Sequence, residues 1–335
     1  MSSTKQAVDV GPVAVKTVGR RRSWRRSTIW WCYVFMIPAA ILAAMFTFYP
    51  MVMSWWYSLL DWSGFTEKGD FIGLDNYWRL IHDPQFWSAF GRSLIFVVVG
   101  TPIRVVLALI IAVLLNNQLL KLAPVFRTFI FVPVITTAAV VGVVMSFMLG
   151  SYQGPLNQVL MGMHLISEPI KFLSDPHTAL WSVLAVHIWK STGHTMIYWL
   201  AALQTVPTSY YEAAKVDGAG AFQLIRHITW PILMPFAIVI IILTAQSDLH
   251  TFALVQSMTE GGPYFSTQVI EVYIYQTAFA AGSSESGNAG VSQLGYASAA
   301  GCFFGTVTLI IALAQGWAVR KVNQVRGQLR EAGDR

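Results

Sequence analysis

Charged residues are scarce in this chain of 335 residues. Asp, Glu, Lys and Arg together make up 11% of it, whereas hydrophobic residues make up 55%. Soluble domains carry about 25% charged residues, so the composition excludes an ordinary water-soluble globular protein. Apolar runs of about 18 residues or more predict membrane-spanning helices. We expect one all-α membrane protein with six transmembrane helices, at 29–49, 91–115, 124–149, 179–203, 232–254 and 296–319.

Cysteine and nucleotide-binding motifs are equally sparse. The two cysteines, Cys32 and Cys302, both fall inside predicted spans, which argues against a disulfide framework or a metal site. The sequence has no G-x-x-x-x-G-K-[ST] phosphate loop, no H-E-x-x-H and no G-x-S-x-G. These absences predict no catalytic residue, no metal site and no cofactor on this chain.

Positive charge lies on one set of loops. The amino-terminal tail, residues 1–28, has seven basic residues, and the carboxyl tail, 320–335, has five. Lys215 and Arg226 lie between the fourth and fifth predicted spans, whereas the 255–295 loop has no Lys or Arg. By the positive-inside rule, both termini and the loop after the fourth span are cytoplasmic. These basic tails are interpreted as topology signals rather than as contacts for nucleic acid.

The predicted external loops differ in composition. The segment 71–87, FIGLDNYWRLIHDPQFW, mixes aromatic and polar residues and predicts a short interfacial helix. The loop at 150–178 has no comparable signal. The loop at 255–295 becomes rich in Gly and Ser at 281–292, which predicts a flexible connection.

The cytoplasmic loop at 208–235 has the pattern of a folded surface element. Ser209 stands three residues before Glu212, the spacing of a capping box. Gly218 is placed to end the first helix in a left-handed turn, a second helix is predicted at 219–228, and Pro231 is expected to end it. The alternative is an interfacial helix with no binding role.

This loop resembles the EAA signature of permease subunits of bacterial binding-protein-dependent ABC importers. The matching residues are Glu212, Ala213, Ala214, Asp217, Gly218, Ala219, Ile228 and Pro231. Trp230 departs from the family pattern, which usually has Leu before the proline. Further segments resemble the carbohydrate-type branch, in particular the first permease of its pair (maltose- and glycerol-phosphate-like): FIGLDNYWRL (71–80), LQTVP (203–207), TEGGP (259–263) and GYASA (295–299).

The resemblance implies a coupling helix between the fourth and fifth spans that docks on a separate ATPase subunit. It implies coupling roles for Glu212, Asp217 and Gly218, with Ala213, Ala214 and Phe222 as packing contacts. It also implies a bacterial inner-membrane location, with a permease domain at 29–319. The implied partners are membrane lipid, a second permease in a heterodimer, two ATPase subunits that carry ATP and Mg, and an extracytoplasmic solute-binding protein.

Two polar stripes interrupt the fourth and fifth spans. In each stripe, polar residues recur at intervals of three and four, which places them on one helical face. Because the two spans run antiparallel, Asp248 is expected at the depth of His187. One hypothesis is a structural Lys190–Asp248 ion pair. The other, which the family resemblance favours, is a translocation path lined by His187, Lys190, Ser191, His194, Thr244, Ser247 and Asp248.

Arg104, in the middle of the second span, is expected to have a partner within the bundle or on the second permease. The function predicted from these features is a permease subunit that takes up a sugar or polyol-type solute. A proton-coupled secondary transporter, with Lys190, Asp248 and the histidines as a relay, is the first alternative. A membrane-embedded hydrolase or transferase using His187, His194 and Asp248 is the second.

Overall fold

The computed structural model describes residues 21–64, 69–116, 121–151, 154–279 and 292–333. The chain divides into two compact units, Met1–Met53 and Ser54–Arg335. Helix α1, Arg21–Ala43, continues through a π-helical turn at Ala44–Phe48 into α2, Tyr49–Tyr57. The large apolar side chains of α1 are exposed, among them Trp30 and Phe35. A helix that exposes apolar residues on every side is suited to a bilayer.

The second unit is mostly helical. A two-stranded antiparallel hairpin, β1 (Leu60–Asp61) and β2 (Asp70–Phe71), precedes the helices. Two of the helices continue through π-helical turns, at Phe96–Gly100 and Ile225–Thr229. The helices are α3 Asp75–Ile81, α4 Pro84–Ile95, α5 Thr101–Leu115, α6 Ala123–Ile135, α7 Ala138–Met148, α8 Pro155–Gly162, α9 Pro176–Leu203, α10 Thr208–Val216, α11 Ala221–Leu224, α12 Trp230–Leu249, α13 Phe252–Met258, α14 Ile270–Phe279 and α15 Leu294–Gly333.

Among the described residues, four helical segments are long and apolar enough to cross a membrane: Ile29–Tyr57, Pro84–Leu115, Phe222–Leu249 and Leu294–Trp317. The bent pair α6 and α7 makes a fifth if it is one span. The fourth predicted span, 179–203, lies in α9, which is a continuous helix of 28 residues. At 1.5 Å per residue, α9 is about 42 Å long, enough to cross a bilayer. Helix α9 is not one of the four apolar segments named above. Its sequence contains one lysine and three histidines, which lower its mean hydropathy.

Two predicted spans are interrupted in the structure. The span predicted at 124–149 consists of two helices, α6 and α7, which meet at 96°. Thr136 and Thr137, between them, have extended backbone with ψ of 136° and 144°. The span predicted at 232–254 ends at Leu249. Glu271 of α14 accepts hydrogen bonds from the backbone N–H of Phe252 and from Nδ1 of His250, each at 2.8 Å, and this distant carboxylate holds the start of α13.

Two helices begin at the same dipeptide, Asp-Pro. The Asp83 carboxylate accepts from the backbone N–H groups of Gln85 (2.8 Å) and Phe86 (3.3 Å), and Pro84 occupies the first turn. Asp175 accepts from the N–H of His177 at 2.9 Å, and Pro176 starts α9. An aspartate cap satisfies an N–H that the helix itself leaves unpaired, and proline there loses no hydrogen bond.

The segment predicted as one interfacial helix at 71–87 contains the end of β2, all of α3 and the start of α4. Asp83 divides it, and its second carboxylate oxygen accepts from the hydroxyls of Tyr273 (2.5 Å) and Tyr296 (2.7 Å). Burial raises the pKa of Asp83, but the hydrogen bonds that the carboxylate accepts outweigh it and leave the pKa below its usual value. The guanidinium of Arg79 lies 4.4 Å above the Tyr296 ring. These contacts join α3, α4, α14 and α15.

The largest group of buried side chains lies where α5, α9 and α12 meet. Trp199 is almost fully buried there, and its indole N–H donates to the carbonyl of Val105 at 3.1 Å. Gly193 of α9 lies against the carbonyl of Ile130 in α6, at a separation that leaves no room for a side chain. Close helix contacts of this kind need small residues, so these contacts position α9 relative to α5 and α6.

We expect Gly295→Ala to destabilise the protein by about 1–3 kcal/mol, the usual range for overpacking. A Cβ at residue 295 would overlap with the Leu60 carbonyl oxygen. Gly301 of the same helix is the matched control, since a Cβ there meets no atom within 4 Å. Thermal unfolding of both variants in detergent measures the difference. Equal melting temperatures for the two variants would contradict the contact with Leu60.

Candidate functional site

A cluster of buried polar side chains joins α5, α9 and α12 around Asp248. Its carboxylate is 0% exposed. Nη1 of Arg104 lies 2.6 Å from Oδ1, and Nε2 of His187 donates to the same oxygen at 2.7 Å. The hydroxyl of Thr101 donates to Oδ2 at 2.6 Å. Each carboxylate oxygen therefore has at least one donor, and all three donors come from neighbouring helices.

The helical spacing places these groups together. Thr101 and Arg104 are three residues apart on α5, so both reach the same side of that helix. On α12, Thr244 is one turn before Asp248, and its carbonyl accepts from Nη2 of Arg104 at 3.4 Å. The expected equal depth of His187 and Asp248 is confirmed by their direct contact. Sequence analysis missed Thr101, although a hydroxyl one turn before a buried arginine was an available signal.

The ion pair is buried as a neutral unit. An isolated charge inside a membrane costs roughly 3 kcal/mol on insertion scales, and charges there pair with one another. Arg104 is 2% exposed and has a carboxylate partner, so the expectation of a partner within the bundle is confirmed. The Nε atom of Arg104 and the hydroxyl of Thr244 are buried and have no partner among the described residues.

The hypothesis of a Lys190–Asp248 ion pair is wrong. Asp248 is bound by Arg104, His187 and Thr101, whereas Lys190 forms no ion pair within the described ranges. Lys190 lies about one turn after His187 on α9. The packing of α9 against α12 places His187, rather than Lys190, beside Asp248. The side chain of Lys190 remains half-buried.

The seven side chains predicted to line a path divide into two groups. His187, Thr244 and Asp248 are buried in the cluster around Asp248. The other four lie outside this cluster and are at least partly accessible: Lys190 and Ser191 are half-buried, and His194 and Ser247 are exposed. Tyr198, one turn after His194, is half-buried, and its hydroxyl lies 3.0 Å from Nε2 of His194. We name Lys190, Ser191, His194 and Tyr198 the open stripe of α9.

The loop after α9 forms two short helices, as predicted, with two changes. Helix α10 begins at Thr208 with Pro207 before it and no side-chain cap, so the predicted Ser209 capping box is wrong. Because the helix starts one residue earlier, Ser209 already lies inside it. Pro231 does not end the second helix, since α11 runs through the π-helical turn into α12 and places Pro231 in the first turn of α12. Pro231 therefore lies inside a continuous helix, where it lacks the backbone N–H that another residue would donate to the preceding turn.

Gly218 ends α10 as expected. Its φ is +79°, in the left-handed region. The N–H of Ala219 donates to the carbonyl of Ala214 at 2.9 Å, and the N–H of Gly218 donates to that of Lys215 at 3.1 Å. This is the hydrogen-bond pattern of a left-handed helix end. The turn separates α10 from α11.

The predicted coupling residues form an exposed surface. Five of them are exposed, and Ala214 is half-buried; the exposed ones are Glu212, Ala213, Asp217, Gly218 and Phe222. Two apolar side chains stand out, since Val216 is 87% exposed and Phe222 is 71% exposed. Tyr211 anchors α10 from its other side, because its hydroxyl lies 2.9 Å from the Thr229 hydroxyl. A charged and apolar surface on an anchored short helix is suited to protein docking.

Within the part of the chain that the structure describes, no group of three or more His, Cys, Asp or Glu side chains could hold a metal ion. His194, named for the hydrolase alternative, and Lys190, named for the proton-relay alternative, lie on the open stripe rather than in the cluster around Asp248. His250 contacts Glu271 of α14.

Comparison with known proteins gives consistent matches. Residues 81–324 match the family described as "Binding-protein-dependent transport system inner membrane component". The chain is 33% identical to a probable ABC transporter permease of Bacillus subtilis, YurN, over 84% of this chain and 92% of that protein. It is 37% identical to the lactose transport system permease LacF of Rhizobium radiobacter, over 74% and 83%.

A solved structure has the same fold. It is the crystal structure of a bacterial ABC transporter involved in the import of the acidic polysaccharide alginate. The match has a TM-score of 0.70 and 26% identity, and it covers 90% of this chain and 99% of that chain. The similarity therefore extends over nearly the whole chain.

We expect Asp248→Ala to destabilise the protein by about 3 kcal/mol or more, because it leaves Arg104 buried without a counter-charge. The double variant Arg104→Met/Asp248→Ala should recover part of that loss, since it removes both charges. Thermal unfolding of the four forms in detergent gives the coupling energy. Ser247→Ala, at the exposed neighbouring position, is the control. Additive effects of the two single substitutions would contradict the ion pair.

Proposed function

This chain belongs to the family of binding-protein-dependent transport system inner membrane components, and from that premise we propose that it is a permease subunit of an ATP-driven sugar importer. The observation that carries the proposal is the exposed surface of α10 and α11, which the left-handed turn at Gly218 joins. The sequence has no phosphate loop, so a separate ATPase must supply the energy. We propose that Glu212, Asp217, Gly218 and Phe222 contact that ATPase.

The proposed topology has six spans. Helix α9 is added to the four apolar helices and the bent pair, because its length suffices and its polar face is directed at protein or a wet cavity in the bilayer. Both termini and the loop after α9 are cytoplasmic by their Lys and Arg content. We propose a location in the bacterial inner membrane, which the description of the family supports.

The proposed mechanism is alternating access. An extracytoplasmic binding protein delivers the solute, and closure of two ATPase subunits moves α10 and α11. Because α11 continues into α12 without a break, this movement reaches Asp248 directly. The ion pair with Arg104 and the bond to His187 then carry it to α5 and α9. A second permease, which completes the path, is part of the same proposal.

The proposed solute is a carbohydrate. Relatives are named for lactose and for starch degradation products, and the solved structure concerns an acidic polysaccharide. The four exposed or half-buried side chains of the path supply hydroxyl, imidazole and ammonium groups, which are suited to hydrogen bonds with sugar hydroxyls. The family thus includes relatives for both neutral and acidic sugars.

A proton-coupled secondary transporter has less support. That hypothesis needs Asp248 to gain and lose a proton during transport. The carboxylate is instead fully buried, and its hydrogen bonds to Arg104, His187 and Thr101 give it a structural role in joining three helices. The exposed surface of α10 and α11 would also have no role in such a transporter.

Uptake into vesicles that contain the permease pair, the ATPase and the binding protein tests the function. We expect radiolabelled sugar to accumulate only when ATP is present on the ATPase side, and an uncoupler to leave uptake unchanged. Vesicles without the ATPase serve as the control. Uptake that is abolished by the uncoupler while ATP remains would favour the secondary transporter instead.

Gly218→Ala should uncouple the ATPase from transport. A side chain strains the left-handed backbone at this position, where φ is +79°, by about 1 kcal/mol or more, and the turn between α10 and α11 then changes. Gly220→Ala is the matched control, because its backbone is not left-handed and the nearest atom to an added Cβ is 3.9 Å away. We expect sugar-stimulated ATP hydrolysis to fall at least several-fold in Gly218→Ala alone. Equal stimulation in both variants would argue against this turn in coupling.

A further inference from the structure

Lys190 is a deeply placed cation. It lies near the middle of the 28-residue helix α9, with about 20 Å of helix on either side. Its side chain is half-buried, and it forms no ion pair within the described ranges. In a helix that crosses the bilayer, this position is far from both headgroup regions.

The chain itself offers Lys190 no counter-charge in the membrane. The helical segments 29–57, 84–115, 123–148, 176–203, 221–249 and 294–317 contain a single carboxylate between them, that of Asp248. Asp248 is 0% exposed and is neutralised by Arg104. The Arg104–Asp248 ion pair therefore neutralises the one carboxylate of these segments away from the open stripe. The positive charge of Lys190 remains on the stripe without a negative charge from these segments beside it.

The neighbours of Lys190 on the open stripe are hydrogen-bond donors. Ser191 is adjacent to it, and His194 is one turn further along the helix. When the Tyr198 hydroxyl donates to Nε2 of His194, at 3.0 Å, the neutral imidazole carries its proton on Nδ1 and donates from there. An ammonium, a hydroxyl and an imidazole N–H on one helical face form a surface complementary to an anion.

We propose that the solute of this importer is a saccharide that carries an anionic group, a carboxylate or a phosphate, and that Lys190, with Ser191 and His194, binds this group during passage. The inference rests on the proposed function, because it concerns the path of the same transporter. The charge of the solute replaces the counter-charge that Asp248 does not provide. Neutral sugars leave Lys190 without a partner at a depth where an unpaired charge is costly.

A carboxylate of the second permease is the other source of a counter-charge. A permanent ion pair at the subunit interface requires the amine alone and gives no role to the donors of Ser191 and His194 beside it. It also predicts that removal of the amine weakens assembly, whereas solute binding predicts that removal changes which solute is transported. The same experiment separates the two.

The test uses the complete transporter, with its binding protein, in vesicles. Stimulated ATP hydrolysis and uptake are measured with matched solutes: galactobiose and digalacturonate, and glucose and glucose 6-phosphate. The second pair distinguishes phosphate from carboxylate recognition. The variants are Lys190→Met, which keeps the length of the side chain without the charge, and Lys190→Arg, which keeps the charge. Trp189→Phe, an exposed neighbour outside the stripe, is the control.

We expect the anionic member of one pair to be preferred at least tenfold by the natural protein. Lys190→Met should reduce that preference at least tenfold, whereas Lys190→Arg and Trp189→Phe retain it. An equal loss for both members of a pair, a preference for the neutral members, or dissociation of the permease pair in Lys190→Met would overturn the inference. ATP-driven uptake of neutral sugars alone would do so while leaving the proposed function intact. ATP-independent uptake would overturn the function itself.

Discussion

The carboxylate of Asp248 is the contact on which the arrangement of the membrane helices depends. It is fully buried, and it binds Arg104 and Thr101 of α5 and His187 of α9. Apolar packing in lipid gives little directional preference between helices, because lipid tails are as apolar as the side chains. A buried ion pair with an additional hydroxyl and imidazole has one good geometry, so it specifies how α5, α9 and α12 are placed.

The same contact lies at the far end of the helix that begins beside the exposed surface of α10 and α11. Helix α12 begins at the π-helical turn that follows α11 and ends at Leu249, one residue after Asp248. In the proposed mechanism, a displacement of α10 and α11 is transmitted along this continuous helix to the ion pair. Because Asp248 is engaged by its neighbours, the open stripe of α9 retains the charge of Lys190. The buried contacts of Asp248 and the positive charge of the open stripe thus have one origin.

Much of the architecture was predictable from residue patterns. Hydrophobic runs predicted the membrane helices, and the two-part element at 208–229 followed from Gly218 and the helix formers before it. The signature at 212–231 identified the family, which the match over 81–324 confirmed. The details that failed have separate origins. The chain after α12 is held by Glu271, which is distant in the sequence. The start of α10 differs by one residue, which local propensity does not resolve.

The sequence by itself determined that this is a helical membrane protein and which helical faces carry polar groups. These properties depend on composition and helical period, and both are local. Only the tertiary structure decided which polar groups meet. Lys190 and Arg104 were both available cations for Asp248, but the packing of α5 against α12 brings the guanidinium within 2.6 Å. Partner choice depends on the relative positions of three helices, and helical period does not encode those positions.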